Sequence, residues 1–230
     1  NNLAHELKTP VFASSVILKI IRQHRLKKNY EKLEEPLQLL ERENSLLKEK
    51  IEKVLDLSII DEGRHDLQMQ PLNLHQLIHE NITAYRYQAM ARGGNLQLDL
   101  QAAHAEICAD TRHLQNLLQN LLDNALKYSP EQPHIRIATK TEKDNILLFV
   151  EDQGIGMSEE EQFHIFDKFY RANQGNAHDT QGFGLGLSYV RKICELHGGQ
   201  VRVRSSQGQG SSFTLMFPLF HHQKTAHVLR

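Results

Sequence analysis

Apolar residues recur at alternating steps of four and three along the first sixty residues, and this spacing predicts two long helices. The first covers residues 1–26, and its stripe consists of Leu3, Leu7, Pro10, Ser14, Ile17 and Ile21. After a turn at 27–29, the second runs from residue 30 to 61, and its stripe consists of Leu33, Leu37, Leu40, Asn44, Leu47, Ile51, Val54 and Ser58.

Two amphipathic helices joined by one short turn cannot bury both apolar stripes by packing only against each other. We therefore expect a homodimeric four-helix bundle, although a helical linker or a coiled-coil stalk would show the same heptads. Pro36 fits best in the first turn of the second helix, and Asn44 is a polar residue of the kind that sets register.

The pattern changes after Gly63, where an irregular segment at 64–73 contains Pro71. Beyond it, short alternating stretches are mixed with helical ones, which favours an α+β sandwich over a doubly wound fold. Predicted helices cover 74–91, 111–128 and 185–197, with short helical turns in 159–170. Predicted strands cover 95–100, 105–108, 135–141, 146–151, 200–205 and 211–217. The predicted domains are a helical hairpin at 1–63, a linker at 64–73, a sandwich at 74–220 and a tail at 221–230.

Composition excludes several classes of function. The chain has 230 residues, of which 40% are hydrophobic and 24% charged, as in soluble globular proteins, and this length suggests one or two domains. Its net charge of −1 offers no electrostatic argument for binding nucleic acid or an anionic membrane. Cys108 and Cys194 lack metal-ligand or redox spacing and are expected to be reduced core thiols. No apolar run is long enough to span a bilayer, and since the chain starts without Met we expect a piece of a longer protein.

The segment HELKTP at 5–10 combines an imidazole, an acid and a hydroxyl on one predicted helix. His5 and Thr9 lie four residues apart and share a face, and His5 falls outside the apolar stripe. A neutral imidazole facing water, with a free pKa of about 6.5, can act as a nucleophile toward phosphorus. A surface histidine on an amphipathic helix is nevertheless usually without function.

In the predicted helix 111–128, Asn120, Asn124 and Lys127 are spaced by four and three, so that they share one face. Two amides and an ammonium beside a buried face need polar partners, and a triphosphate with Mg²⁺ would supply them. A solvated helix face would explain the same spacing.

Two glycine-rich stretches flank a polar segment. Asp152 directly follows the predicted strand 146–151 and precedes Gly154 and Gly156. A carboxylate there could accept a hydrogen bond from an exocyclic amine while a ring approaches the backbone; an ordinary turn is the alternative. The glycines of 182–186 lead into a helix whose N–H groups could face phosphate, although neither a Rossmann nor a Walker spacing is present. Arg171, beside the polar segment, could reach a γ-phosphate.

The order of these motifs resembles the cytoplasmic core of a sensor histidine kinase of a two-component system, over nearly the whole chain. HELKTP at 5–10 resembles the phosphoacceptor box of that family, and NLLDNALKY at 120–128 resembles its asparagine box. DQGIGM at 152–157 resembles the first glycine box, and FDKFYR at 166–171 resembles the phenylalanine box. GFGLGL at 182–187 resembles the second glycine box, and GQGSSFT at 208–214 resembles the last one.

The resemblance implies roles for individual residues. His5 would accept the γ-phosphoryl group of ATP, Glu6 would orient the imidazole and act as base, and Thr9 would position water during dephosphorylation of a partner. The implied ATP-binding residues are Asn124, Lys127, Tyr128, Asp152, Gly154, Gly156, Phe169, Arg171, Gly182, Gly184, Leu185, Gly186 and Thr214, with Asn120 as the Mg²⁺ ligand. Among them, Asn124 and Lys127 would bind phosphates, Tyr128 would line the adenine pocket, and Asp152 would bond the adenine amine. Residues 172–181 would form an ATP lid.

The family resemblance also implies fold, activity and partners. The fold would be a dimeric helical bundle followed by an α/β sandwich of the type shared with gyrase and heat-shock chaperones. The chain would phosphorylate His5 with ATP and Mg²⁺ and pass the phosphoryl group to an Asp of a response regulator, with phosphatase activity toward that regulator as a further expectation. It would be the cytoplasmic portion of a membrane-anchored sensor. The alternatives are an ATP-driven conformational module like the chaperones, and a nucleotide-binding scaffold or phosphatase-dominant protein.

Overall fold

The computed structural model of the chain describes residues 2–27, 29–61, 67–129, 131–171 and 184–220, and it leaves aside the side chains of 2–7, 46, 48–50 and 52–61. The chain divides into two compact units. The helical unit contains α1 (Asn2–Leu26), a 3-10 turn (Tyr30–Lys32) and α2 (Glu34–Asp61). The sandwich unit contains every other element described below, whereas Gly184 and Leu185 group with the helical unit.

In the helical unit, α1 and α2 pack against each other as a hairpin, as the two predicted stripes require. On α1, Pro10 and Ile17 are buried, and Ser14 and Ile21 are half-buried, which confirms the predicted stripe at these four positions. Pro36 lies in the first turn of α2, where its missing N–H breaks no helical hydrogen bond. None of the described helices is both long enough and apolar enough to cross a membrane.

The α2 stripe divides into two sets with different exposure. Leu33, Leu40 and Leu47 are half-buried, while Leu37, Asn44 and Ile51 are exposed. Leu37 and Ile51 each retain 42% of their accessible surface. Within one chain, the hairpin therefore covers only alternate positions of the heptad seam.

The strands of the sandwich unit are β1 (Gln70–Asn73), β2 (Asn95–Leu100), β3 (Glu106–Ala109), β4 (His134–Glu142), β5 (Asn145–Asp152), β6 (Gln200–Ser206) and β7 (Gly210–Pro218). Five of them form one sheet with strand order β2-β4-β5-β7-β6, in which β2 and β4 are parallel and the other neighbours antiparallel. A separate pair joins β1 to β3. The helices are α3 (Leu74–Asn81), α4 (Thr83–Ala91), α5 (Thr111–Lys127), α6 (Glu159–His164) and α7 (Gly186–Leu196).

The core lies on one face of this sheet. Alternate residues of β5 and β7, such as Leu148, Val150 and Leu215, are 1% exposed or less and lie beneath the leucines of α5. The opposite face carries polar residues, including an Arg136 side chain that bonds both Asp99 and Glu151. This one-sided arrangement is the predicted α+β sandwich.

Two predicted elements differ from the structure. The predicted helix at 74–91 is two helices separated at Ile82, a buried β-branched residue followed by Thr83, and both residue types slightly lower helix propensity. Part of the predicted linker, Gln70–Asn73, is strand β1, which pairs with β3. Pro71 is tolerated there because β1 has a neighbour on one side only.

Both cysteines are free. Cys194 is fully buried, and burial raises the pKa of its thiol to about 12, while Cys108 is half-buried. These environments agree with the predicted unreactive core thiols.

Candidate functional site

Helix α5 places the predicted amide face at the edge of the core. Asp110 caps the helix by accepting a hydrogen bond from the backbone N–H of His113 at 3.1 Å. Burial disfavours the charged Asp110 carboxylate, but backbone N–H groups of His113 and Gln68 outweigh this and lower its pKa. The leucines of α5 face the sheet, so that Asn120, Asn124 and Lys127 are half-buried at the rim.

The side chain of Asn120 is oriented by its own helix. Its Nδ2 donates to the carbonyl of Asn116 at 2.7 Å, which leaves Oδ1 turned toward the start of α7. A Cβ added to Gly186, the first residue of α7, would lie 2.7 Å from that oxygen. The absence of a side chain at Gly186 therefore keeps space beside a neutral oxygen of the kind that Mg²⁺ accepts as a ligand.

The end of β5 lies against the C-terminal end of α5. The Ile155 backbone N–H donates to the carbonyl of Tyr128 at 3.0 Å, and that of Gly154 donates to Asp152 Oδ1 at 2.9 Å. A Cβ at Gly154 would collide with the Tyr128 carbonyl oxygen. Burial raises the pKa of Asp152, although hydrogen bonds from Gly154 and Ser211 oppose it. A partly buried carboxylate with remaining acceptor capacity can accept from an amine.

The hairpin between β6 and β7 closes over the same loop. Gly156 and Gly210 both have left-handed backbone conformations, with φ of 65° and 82°. A side chain at Gly156 would collide with the Ser206 carbonyl, and one at Gly210 would collide with that of Asp152. Glycine is required at both positions by the close approach of two backbone segments.

Hydrogen bonds of Ser205 and Gln162 hold the loop after Asp152 against the hairpin of β6 and β7. Neither residue was identified from the sequence. Ser205 Oγ accepts from the Met157 backbone N–H at 2.8 Å and donates to the Gly210 carbonyl at 2.7 Å. The amide of Gln162 bonds both the N–H and the carbonyl of Ser205, each at 3.0 Å. These bonds connect α6, β6 and the Asp152 loop, but their residue types carry no motif that could have indicated them.

The structure does not bring Thr214 to this group. Along β7, Phe213 and Leu215 are buried in the core, so Thr214 points to the opposite face of the sheet. The cross-strand partner of Asp152 is Ser211, whose backbone N–H also bonds the carboxylate. Thr214 is therefore removed from the candidate site, because the strand alternates faces at every residue.

Arg171 and Lys127 both approach Tyr128. Burial raises the pKa of the Tyr128 hydroxyl, and the positive charge of Arg171 partly opposes this rise. Lys127 Nζ lies 5.2 Å from the centre of the Tyr128 ring. Phe169 has a left-handed φ of 64° and remains 47% exposed, which is unusual for a large aromatic residue.

The remaining predicted site residues are not placed in this group. Gly184, with φ of 67°, and the buried Leu185 belong to the helical unit. Gly182 and the whole of the predicted lid at 172–181 lie outside the described residues, as do the side chains of His5 and Glu6. Thr9 is an exposed residue of α1.

The polar side chains of this group suit a nucleotide that brings its own metal ion better than a metal ion held by protein side chains alone. In the part of the chain that the structure describes, no three His, Cys, Asp or Glu side chains are placed to hold a metal ion. The candidate ligand is instead the Asn120 amide oxygen, and Mg²⁺ commonly combines one such ligand with phosphate oxygens and water. The residues present therefore fit Mg²⁺ that arrives with a triphosphate.

Comparison with known proteins agrees with this geometry. Residues 109–221 match the family described as histidine kinase-, DNA gyrase B-, and HSP90-like ATPase. The chain is 34% identical to the sensor protein RprX of Bacteroides fragilis over 221 residues, which is 95% of this chain and 43% of RprX. The chain thus spans less than half of that relative.

Solved structures show the same fold. The histidine kinase AdeS of Acinetobacter baumannii superimposes with a TM-score of 0.69 at 22% identity, covering 94% of this chain and 98% of AdeS. The histidine kinase ThkA, solved in complex with the response regulator protein TrrA, gives a TM-score of 0.66 at 24% identity, covering 95% of this chain and 60% of ThkA.

Proposed function

We propose that this chain phosphorylates its own His5 with ATP. Its residues 109–221 match the histidine kinase-, DNA gyrase B- and HSP90-like ATPases, and its relatives include sensor histidine kinases. The phosphoryl group then passes to an Asp of a response regulator. The chain would also act as a phosphatase toward that regulator, with Thr9 positioning water.

The observation that carries this proposal is that three groups of suitable chemistry lie along the second half of α5 and on the segments packed against it. The Asn120 oxygen faces the glycine at the start of α7, Asp152 offers carboxylate acceptors, and Gly154 lets the backbone after β5 approach the Tyr128 carbonyl closely. Their chemistry matches the magnesium, amine and ring of a bound ATP. The match to a family of ATPases over these residues supports the same assignment.

In the proposed reaction, Asp152 accepts a hydrogen bond from the adenine amine, and Tyr128 and Phe169 border the base. Asn124, Lys127 and Arg171 neutralise phosphate charge, and Asn120 holds Mg²⁺. Gly156, Gly182, Gly184, Leu185 and Gly186 shape the surrounding backbone. ATP supplies the γ-phosphoryl group when bound. A His5 ring nitrogen forms the new N–P bond as the bond to ADP breaks, and Glu6 takes the ring proton.

The proposed homodimer is supported by the exposed half of the α2 seam. Leu37, Asn44 and Ile51 repeat every seven residues and are exposed in one chain, whereas the alternate set packs within the hairpin. A second copy would cover them in a four-helix bundle. The ThkA complex with a response regulator supports a receiver domain as the second partner of this chain.

Incubation with γ-labelled ATP and Mg²⁺ tests the proposal against its alternatives. The proposal expects the chain to become labelled, with a label that acid removes and alkali does not. Turnover of ATP without protein labelling would instead indicate a conformational ATPase module. Binding without turnover or labelling would indicate a scaffold or a phosphatase-dominant protein. We expect Asn120→Asp to keep the fold but abolish labelling, because it replaces the neutral oxygen beside the phosphates with a charged one.

A further inference from the structure

Strand β6 stands at one end of the strand order, next to β7, so one of its sides forms an edge of the sheet. In an antiparallel pair, every second residue exchanges backbone hydrogen bonds with the neighbouring strand, and the residues between direct N–H and C=O away from it. The amide of Gln162 bonds both backbone groups of Ser205, each at 3.0 Å, so Ser205 is directed outward. By the same alternation, Val201 and Val203 also direct their backbone groups away from β7.

The Gln162 side chain takes the place of an adjoining strand at one residue of this edge. A carboxamide offers the same donor and acceptor as a peptide group, and Gln162 uses both against Ser205. Among the residues that the structure describes, no group bonds the outward-directed N–H and C=O of Val201 and Val203. Backbone groups without a protein partner are satisfied by water, so an added strand could continue the sheet at these two residues.

Two arginines follow this part of the edge on the polar face of the sheet. Arg202 and Arg204 alternate with the valines along β6, and both are exposed. Within the described ranges, neither guanidinium forms an ion pair with a carboxylate. A residue opposite each arginine on an added strand would have its Cβ about 4.5–5.5 Å from that of the arginine, and two such residues are two positions apart. Acidic side chains at alternate positions would therefore complement the edge.

The same charges argue against a second copy of this chain as the occupant. Two β6 strands that paired through Val203 would place Arg202 of each copy opposite Arg204 of the other, on one face of the joined sheet. Like charges directly opposite each other destabilise a strand pair, and edge strands are commonly protected from self-association in this way. The charge pattern thus disfavours a second β6 but favours an acidic strand.

We propose that β6 is a docking site for an extended segment of a partner protein that carries acidic side chains at alternate positions. The segment adds a strand to the sheet, with backbone hydrogen bonds to Val201 and Val203 and its acidic side chains beside Arg202 and Arg204. The Gln162 amide closes the edge beyond Arg204 and sets one end of the added strand. This docking does not rest on the binding of ATP.

Fluorescence anisotropy with two labelled peptides tests the charge complementarity. One peptide is acetyl-Thr-Glu-Val-Glu-Val-Thr-amide, and the other has lysine in place of each glutamate. We expect the full chain to bind the acidic peptide about tenfold more tightly than the basic one, because two cross-strand charge pairs change sign. Arg202→Glu combined with Arg204→Glu should reverse this preference. Lys140→Glu, which changes an exposed residue of β4 on the same face, should leave it unchanged.

Proline at position 203 tests the backbone contact. Val203→Pro removes an N–H that faces away from β7, so the chain should remain folded, as thermal unfolding can verify. The acidic peptide should bind about fivefold more weakly or worse, since a backbone hydrogen bond is lost. Val203→Ala keeps the N–H and should retain binding of the peptide.

Amide hydrogen exchange shows whether the edge is open without a peptide. The N–H groups of Val201 and Val203 should exchange faster than those of Arg202 and Arg204, which bond β7, and the acidic peptide should slow the valines. Slow exchange at both valines without peptide would show that the edge is already covered and would overturn the proposal. Equal binding of the two peptides, or full binding by a folded Val203→Pro chain, would overturn it as well.

Discussion

Gly186 lies directly against one atom of Asn120, its Oδ1, although the two residues belong to different sequence motifs. The Asn116 carbonyl holds Asn120 Nδ2 at 2.7 Å, so that Oδ1 faces the first residue of α7. A Cβ on Gly186 would lie 2.7 Å from that oxygen, closer than side chains normally approach. The glycine at the start of α7 is thus required by the asparagine on α5, in addition to any contact it makes with phosphate.

Gly186→Ala should therefore reduce phosphorylation more than it reduces stability. The added methyl group must displace the Asn120 amide, and a shift of about 1 Å at a metal ligand can cost up to about a hundredfold in rate. The thermal midpoint should change little, because alanine favours the helix that begins here. Rates of labelling with γ-labelled ATP would measure the effect, with Gln119→Ala, on the exposed side of α5, as the control. A wild-type rate in Gly186→Ala would contradict the role of Asn120.

Asp152→Asn should stabilise the nucleotide-free domain while weakening ATP binding. Burial raises the pKa of Asp152, so its ionised form is disfavoured in the fold, and the neutral amide removes that penalty. We expect ATP affinity to fall about ten- to a hundredfold, since a hydrogen bond to a charged acceptor is lost. Thermal unfolding and calorimetry measure the two effects, and Glu151→Gln, on the other face of the same strand, is the matched control. Unchanged affinity in Asp152→Asn would exclude it from the adenine pocket.

His197 should make the sandwich unit less stable below neutral pH. Its Nε2 accepts from the Asp110 N–H at 3.0 Å, and its Nδ1–H donates to the Ile193 carbonyl at 2.8 Å, so the fold holds the neutral ring. Burial lowers its pKa, and these two neighbours oppose that only partly. The unfolded chain then binds more protons once the pH drops below about 6.5, and stability is lost as pH falls through that value.

The urea midpoint, followed between about pH 7.5 and 5.5, measures this dependence. We expect His197→Asn to flatten the slope, with a residual contribution from His75, whose pKa burial also lowers. His104→Asn, at an exposed position, should keep the wild-type slope. An unaltered slope in His197→Asn would show that its proton uptake does not differ between the folded and unfolded chains.

Leu37 and Leu39 provide a matched pair of positions at which substitutions test the proposed dimer. They are 42% and 45% exposed in one chain, but only Leu37 occupies the heptad seam. Leu37→Glu should shift the chain toward monomer in sedimentation velocity, because it places a charge in the proposed interface. Leu39→Glu should sediment as wild type. Equal behaviour of the two variants would argue against a bundle that uses this seam.

Hydrophobic periodicity was sufficient to predict most helices and strands, because burial on one face leaves a clear pattern. The predicted helix at 111–128 is confirmed, as are the last two predicted strands. Strand β1 was missed because four residues with a proline carry almost no period, and its pairing depends on distant β3. The break at Ile82 was missed because the apolar spacing continues through it.

Motifs indicated which residues belong to the site but not all the contacts among them. Asn120, Asp152 and Gly154 follow from spacing and resemblance, whereas the face on which Thr214 lies depends on strand register. Ser205 and Gln162 carry no distinctive pattern, because their roles arise from contacts between segments far apart in the chain. Such contacts become visible only when the backbone positions are known.

Replacement of His5 tests the central claim most directly. Wild-type chain incubated with γ-labelled ATP and Mg²⁺ should acquire a label that is stable in alkali and lost in acid, and His5→Ala should acquire none while still binding ATP. Retention of the label in a folded His5→Ala chain, or an acid-stable label in the wild type, would contradict phosphorylation of this histidine.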